Sequence, residues 1–297
     1  GFNQGFDEWT FSGKADADDQ VGAALKWLDD NADRDTYTFL HFMDPHAPYD
    51  PPADQAAQFV TDPDPGLKPR TTRADVLKQQ RTGTLTDQRK AHLEALYDAE
   101  LSFTSQQLGR FFAALDKMGG RTLVFVHSDH GEEFWDHGGY EHNHSLYNET
   151  TKAVMLLRSN RGMANAKRIQ TPATLADMAP TLYDFARFED LPETDGKSLR
   201  PLIESDDGGE GWDRPLGIAH MRYGHERWGV VWNNHKYILH TKNGEEELYN
   251  LADDPGEQTN LAKKTELKPY HLALAKAHMN MPVGPGWRIE VSAGQNS

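Results

Sequence analysis

The residues able to do chemistry gather in two places. Fourteen histidines occur in 297 residues. Five of them, His127, His130, His137, His142 and His144, share one stretch with Asp129, Glu132, Glu133, Asp136 and Glu141. Deprotonated imidazoles and carboxylates both offer lone pairs, so such a stretch could bind a divalent cation and hold proton-transfer groups beside it. The same density also suits a solvated acidic loop whose histidines only cap and hydrogen-bond. The second place is His46, set between Pro45 and Pro48. Proline restricts the backbone, which gives an imidazole there a defined direction; a histidine in a proline-rich turn is the plainer reading.

The elements that would position these residues follow from periodicity. Val21, Ala24, Leu25 and Leu28 have helical spacing, and residues 36 to 42 (TYTFLHF) are β-branched and aromatic, a strand ending at Asp44-Pro45. Residues 50 to 85 carry proline and charge with no long period and suit a surface excursion. A long helix is expected over 87 to 118, with Leu93, Leu96, Tyr97, Leu101, Leu108, Phe111, Phe112 and Leu115 on one stripe and Gly119-Gly120 stopping it. The wholly apolar run 123 to 126 reads as a strand buried on both faces of a parallel sheet. A strand, a helix and a strand in this order make a crossover unit, and ligands in such sheets bind beyond the carboxyl ends of the strands. That places both polar clusters at one rim. A third strand is expected at 153 to 157 and a covering helix at 174 to 186. After a glycine- and acid-rich linker at 204 to 211, short strands at 217–221, 228–232, 237–240 and 247–251, with an Asn243-Gly244 turn, read as an antiparallel meander.

Composition narrows the function classes. Asp and Glu number 46 against 31 Lys and Arg, a net charge of −15, which opposes binding to phosphate backbones; nucleic acid is not an expected partner. Of the acids, 28 are Asp, as on an ordinary acidic surface or on the hydrated carboxylate shell of a protein from a salt-adapted organism. No apolar run approaches the roughly 20 residues of a membrane span, so the chain reads as soluble; its localisation is not readable. With no cysteine, thiolate metal sites and cysteine nucleophiles within the chain are excluded. The start at Gly1-Phe2-Asn3-Gln4 reads as a segment of something longer.

Three blocks in order, Phe42 to Tyr49 (FMDPHAPY), Ser128 to Glu132 (SDHGE) and His144 to Glu149 (HSLYNE), resemble the sulfatase family within the alkaline-phosphatase-like superfamily. Gly1 to Phe6, Asp195 to Leu199, and Glu247 to Leu251 with Asp254-Pro255 and Asn260-Leu261 are similar to further sulfatase segments. The resemblance implies an α/β fold: part of an alkaline-phosphatase-like, mostly parallel sheet flanked by helices over 1–204, a small antiparallel β subdomain over 212–262, and a helical or irregular tail over 263–297. It implies that Asp129 and His130 bind a divalent cation, calcium first, and that His46 contacts the sulfate oxygens. It implies also that His144, or His142 if the alignment slips by two, neutralises or protonates the leaving alcohol. The family nucleophile is a formylglycine in a Cys-x-Pro-x-Arg motif that is not in these residues; in the family it lies upstream. The expected substrate is a sulfated small molecule or glycan. The alternatives are a phosphodiesterase, phosphonate hydrolase or phosphotransferase of the same superfamily, with manganese or zinc in place of calcium, and a non-catalytic fragment that binds metal or a partner.

Overall fold

The computed structural model describes residues 3–10, 16–160, 166–188, 193–205, 212–219 and 222–278. The chain forms two compact units, Gly1–Thr122 and Leu123–Ser297.

The first unit is helical among its described residues. Helix α1 (Ala17–Asp30) starts at Asp16, whose side chain accepts the Asp19 N–H, and it buries Ala17, Val21 and Ala24, one face at helical spacing. That face packs on the long helix α4 (Asp87–Met118), capped by Thr86. Between them lie α2 (Ala53–Phe59) and α3 (Arg73–Thr82), so the expected excursion at 50–85 is partly helical. The overlooked signal is the Thr72/Asp75 capping box that opens α3, closed by Gly83 in the left-handed region. Helix α4 has the expected bounds but a different buried face: Leu93, Phe111 and Leu115 are inside with Ala99, Glu100, Phe103 and Gln107, whereas Leu101 is exposed.

The segment 36–42 has no regular secondary structure and is not a strand, with Tyr37 and Phe39 on the surface. β-Propensity makes a strand only where a neighbour presents backbone partners, and no strand lies among the described residues of this unit. The expected parallel crossover is accordingly not found: every strand pairing among the described residues is antiparallel.

In the second unit β1 (Leu123–His127) pairs antiparallel with β4 (Met155–Ser159), two residues later than the strand expected there. Strand β1 is half-buried, not sealed on both faces, and among the described residues its ladder has two strands. Between them run β2 (Glu133–Phe134), β3 (Tyr140–Glu141) and the short helix α5 (Asn148–Thr151). A single 3₁₀ turn leads into α6 (Met178–Ala186), followed by α7 (Arg200–Glu204). The segment 195–199 docks on that turn: buried Asp177 accepts the Lys197 N–H (2.8 Å) and Thr181 Oγ1 accepts that of Leu199 (2.8 Å).

The expected meander is present as β5 (Leu216–Ala219), β6 (Arg227–Trp232), β7 (His235–His240) and β8 (Glu246–Asn250). Residues 220 and 221 of its first strand, the linker at 206–211 and the tail beyond 278 lie outside the described residues. Asn233 and Asn234, both at positive φ, form the two-residue turn whose twist suits the β6–β7 hairpin, and Gly244 at φ 72° sits in the β7–β8 loop. Alternation then gives the sheet two apolar faces. Trp228, Val230, Tyr237 and Leu248 face Tyr270, Ala273 and Leu274 of α8 (Lys268–His278). Ile238 and Tyr249 point the other way, onto Leu146. The second face therefore backs the segment that carries His144.

Candidate functional site

Strand β1 delivers the first polar pair. Its exit is pinned where Ser128 N–H donates to the Val154 carbonyl (3.2 Å) and Ser128 Oγ accepts from Val154 N–H (2.9 Å). The Asp129 side chain is 81% exposed, and its Oδ1 accepts the His130 N–H (3.1 Å). His130 Nδ1 lies 2.8 Å from the Gly131 carbonyl oxygen, which can only accept, so that nitrogen carries the proton. The lone pair is then on Nε2, 3.5 Å from Asp129 Oδ2. A carboxylate and a tautomer-fixed imidazole side by side fit part of a divalent-cation site. Among the described residues no group of three or more such ligands converges, so the pair is a partial donor set.

Gly131 explains how this strand end fits its neighbour: a Cβ there would lie 2.2 Å from the Glu149 carbonyl oxygen. Behind it the loop reverses through Trp135, Glu141 and Asn143, three non-glycine residues at positive φ, a concentration of backbone strain typical of functional loops. The reversal brings the remaining histidines back. The His142 ring lies against that of His130 with centroids 3.9 Å apart and planes tilted by 30°, and its Nδ1 is 2.8 Å from Glu132 Oε1. That bond with Glu132 holds the His142 imidazolium above its usual range, outweighing the opposing effect of burial.

His144 is placed by Glu133, a residue the sequence reading put only in the general cluster. Its Nε2 is 2.7 Å from Glu133 Oε2, and its Nδ1 is 3.2 Å from the His142 carbonyl oxygen. Both ring nitrogens thus face oxygen acceptors, which fixes the ring. Glu133 is fully buried and also accepts the N–H groups of His137 (3.1 Å) and Gly139 (2.6 Å). Burial pushes its carboxyl up, but the bonds from His144, Gly139 and His137 prevail and hold it below the ordinary glutamate range. Gly139 has to be glycine for closeness: a Cβ would sit 2.0 Å from His144 Nε2.

The meander locks the block 144–149 from behind. Lys236, on the same face of β7 as Ile238, is fully buried and reaches Asn148 Oδ1 (2.8 Å) and Glu257 Oε1 (2.9 Å). Glu257 accepts the Asn148 N–H, and the Pro255 carbonyl accepts from the Asn148 side chain (3.0 Å). Tyr147 OH donates to Glu247 (2.8 Å), and its ring stacks at 3.7 Å on His137, which bonds Glu149 (2.6 Å) and the Glu257 carbonyl (3.1 Å). Lys236 and Glu257 were not foreseen as site supports; a lysine at an inward position of an alternating strand was the available signal.

His46 belongs to the first unit, whereas Asp129, His130, His142 and His144 belong to the second. The His46 ring is exposed, with Nδ1 2.6 Å from the Ala47 carbonyl oxygen, again leaving its proton on that nitrogen.

The fold and these blocks define a class. The chain belongs to the sulfatase family: the family model described as Sulfatase matches residues 3–188. That of the N-sulphoglucosamine sulphohydrolase C-terminal region matches residues 131–281. An arylsulfatase of Clostridium perfringens is 24% identical over 241 residues, covering 77% of this chain and 50% of that protein. Arylsulfatase K of Gallus gallus is 28% identical over 194 residues, 62% of this chain and 36% of that protein. The chain thus spans half or less of these relatives' length. A protein solved with its substrate D-glucosamine-2-N,6-O-disulfate shares the fold with a TM-score of 0.65 and 19% identity, over 88% of this chain and 68% of that one. The phosphonate monoester hydrolase of Agrobacterium radiobacter does so with a TM-score of 0.64 and 21% identity, over 90% and 61%. No described helix is long and apolar enough to cross a membrane.

Proposed function

We propose that the protein carrying this chain hydrolyses sulfate esters with a divalent cation, calcium first, and that its substrates are sulfated glycans. The observation that carries the metal assignment is the Asp129–His130 pair, with one carboxylate and one tautomer-fixed Nε2 3.5 Å apart. A cation bound there would draw negative charge from the ester's oxygens. His46 is exposed, its Nδ1 held by the Ala47 carbonyl, and in this reading it contacts the sulfate oxygens. In this reading His144, placed by Glu133 and the His142 carbonyl, gives up one of those hydrogen bonds to neutralise or protonate the leaving oxygen, where an alkoxide needs it. The formylglycine nucleophile and the rest of the ligand set are assigned to residues outside this chain, and with them the parallel part of the sheet. The glycan substrate is supported by relatives named as N-acetylglucosamine-6-O-sulfatase and Delta 4,5-hexuronate-2-O-sulfatase of Bacteroides thetaiotaomicron.

A second reading, phosphonate or phosphate diester hydrolysis with manganese or zinc, is favoured by one observation. His130 offers an imidazole, a ligand that suits those metals better than calcium. Calorimetric titration with calcium and with manganese tests both readings. Asp129→Asn should lose more calcium affinity than His130→Asn, because a carboxylate supplies charge that imidazole does not. Unchanged affinity in Asp129→Asn would remove Asp129 from the ligand set, and exclusive binding of manganese would favour the second reading.

A further inference from the structure

The segment carrying His46 is tied at both ends. At its start Asp44 Oδ2 accepts the Ala17 N–H that opens α1 (2.9 Å), and the His46 N–H closes a turn on the Met43 carbonyl (2.6 Å). At its far end Tyr49, only 4% exposed, meets the Tyr97 ring edge-on at 5.6 Å. The next residue, Asp50, donates its N–H to Glu100 Oε1 (2.6 Å). Glu100 is 4% exposed, although a glutamate on a helix normally reaches solvent. Its second oxygen has no hydrogen-bond partner among the described residues. A carboxyl kept inside at that cost, with one oxygen spent on a single backbone N–H, asks for a purpose beyond packing.

We infer that Glu100 is a positioning residue for His46: its buried carboxyl and the Tyr97 ring one turn earlier anchor the Asp50 end of the segment, so that the imidazole is presented in one direction to an anionic ester. The inference rests on His46 being the group that contacts the sulfate. Burial, together with the charges of Asp44 and Asp50, pushes the Glu100 carboxyl up to about 7 against the Asp50 N–H bond and Arg70, which pull it down. The anchor bond therefore changes from neutral to charge-assisted across neutral pH.

The test is NMR on the full chain, with inorganic sulfate as the probe. The wild-type His46 ring resonance should move saturably with sulfate, and the Asp50 amide proton should titrate with a midpoint near pH 7. Glu100→Gln keeps the acceptor oxygen and loses the charge. It should bind sulfate within about twofold of wild type while the Asp50 titration disappears. Glu100→Leu removes the acceptor and should weaken sulfate binding about tenfold while raising the mobility of the His46 ring. Wild-type sulfate affinity and an ordered ring in Glu100→Leu would overturn the inference. So would an Asp50 amide that still titrates near neutrality in Glu100→Gln, which stays decisive if the leucine variant does not fold. If the wild-type His46 ring ignores sulfate, the role given to His46 fails instead, and ring order in the two variants still decides whether Glu100 anchors the segment.

Discussion

Lys236→Met should loosen the block 144–149 more than any other single change in the meander. The substitution conserves much of the volume but deletes the ammonium that bonds Asn148 Oδ1 at 2.8 Å and Glu257 Oε1 at 2.9 Å. Glu257, 1% exposed, would keep the Asn148 N–H and lose its counter-charge. Removing one partner of a buried pair costs about 3–5 kcal/mol, a large share of a typical stability of about 5–15 kcal/mol. Burial already raises the Glu257 carboxyl and lowers the Lys236 ammonium. A stranded Glu257 would rise further, so the variant's deficit should shrink as the pH falls and that carboxyl takes a proton. Adding Glu257→Gln, which keeps an acceptor for Asn148 N–H, should recover about 2 kcal/mol. Urea unfolding followed by tryptophan fluorescence, with hydrogen exchange at the Asn148 amide, reads both effects. A loss below about 1 kcal/mol in Lys236→Met, or strictly additive losses in the double variant, would refute the reasoning.

Gly139→Ala should drive His144 and Glu133 apart, since the new methyl falls 2.0 Å from Nε2; a cost of about 1–3 kcal/mol and a displaced His144 ring resonance are expected, and an unmoved ring would contradict the packing. Glu132→Gln should drop the His142 imidazole toward its ordinary value, read by ring-carbon NMR. Because Glu132 raises His142 in the folded chain, its stabilisation is full below about pH 6.5 and fades as pH rises through the raised value; the variant should lack that slope. In the intact protein, His144→Ala should steepen the dependence of hydrolysis on leaving-group pKa, and His142→Ala should not; a steeper slope for His142→Ala would move the acid role two residues back.

Much of this was readable from sequence because the signals were local. The long helix kept its bounds since Thr86 caps it and Gly119 follows it, and the meander was announced by alternation and the Asn243-Gly244 turn. The histidine cluster was visible as composition. What was not readable depends on distant partners. Residues 36–42 have strand chemistry but pair with no strand among the described residues, and Leu123–His127 has apolar chemistry but, among those residues, a single antiparallel partner. Glu133 looked like one acid among five; its role comes from a turn that folds Gly139 and His144 onto it. Glu100 was not among the residues expected to be buried on the long helix, and the return of Asp50, fifty residues earlier in the chain, is what it meets there.

The central claim is sulfate-ester hydrolysis, and the most direct measurement is turnover by the natural protein that contains this chain, in calcium, on matched substrates. Glucosamine 6-O-sulfate and p-nitrophenyl sulfate should release sulfate, phenylphosphonate monoesters should be poorer substrates, and Asp129→Asn should abolish release. Faster cleavage of the phosphonate, supported by manganese or zinc, would contradict the claim, and so would full sulfate release by Asp129→Asn.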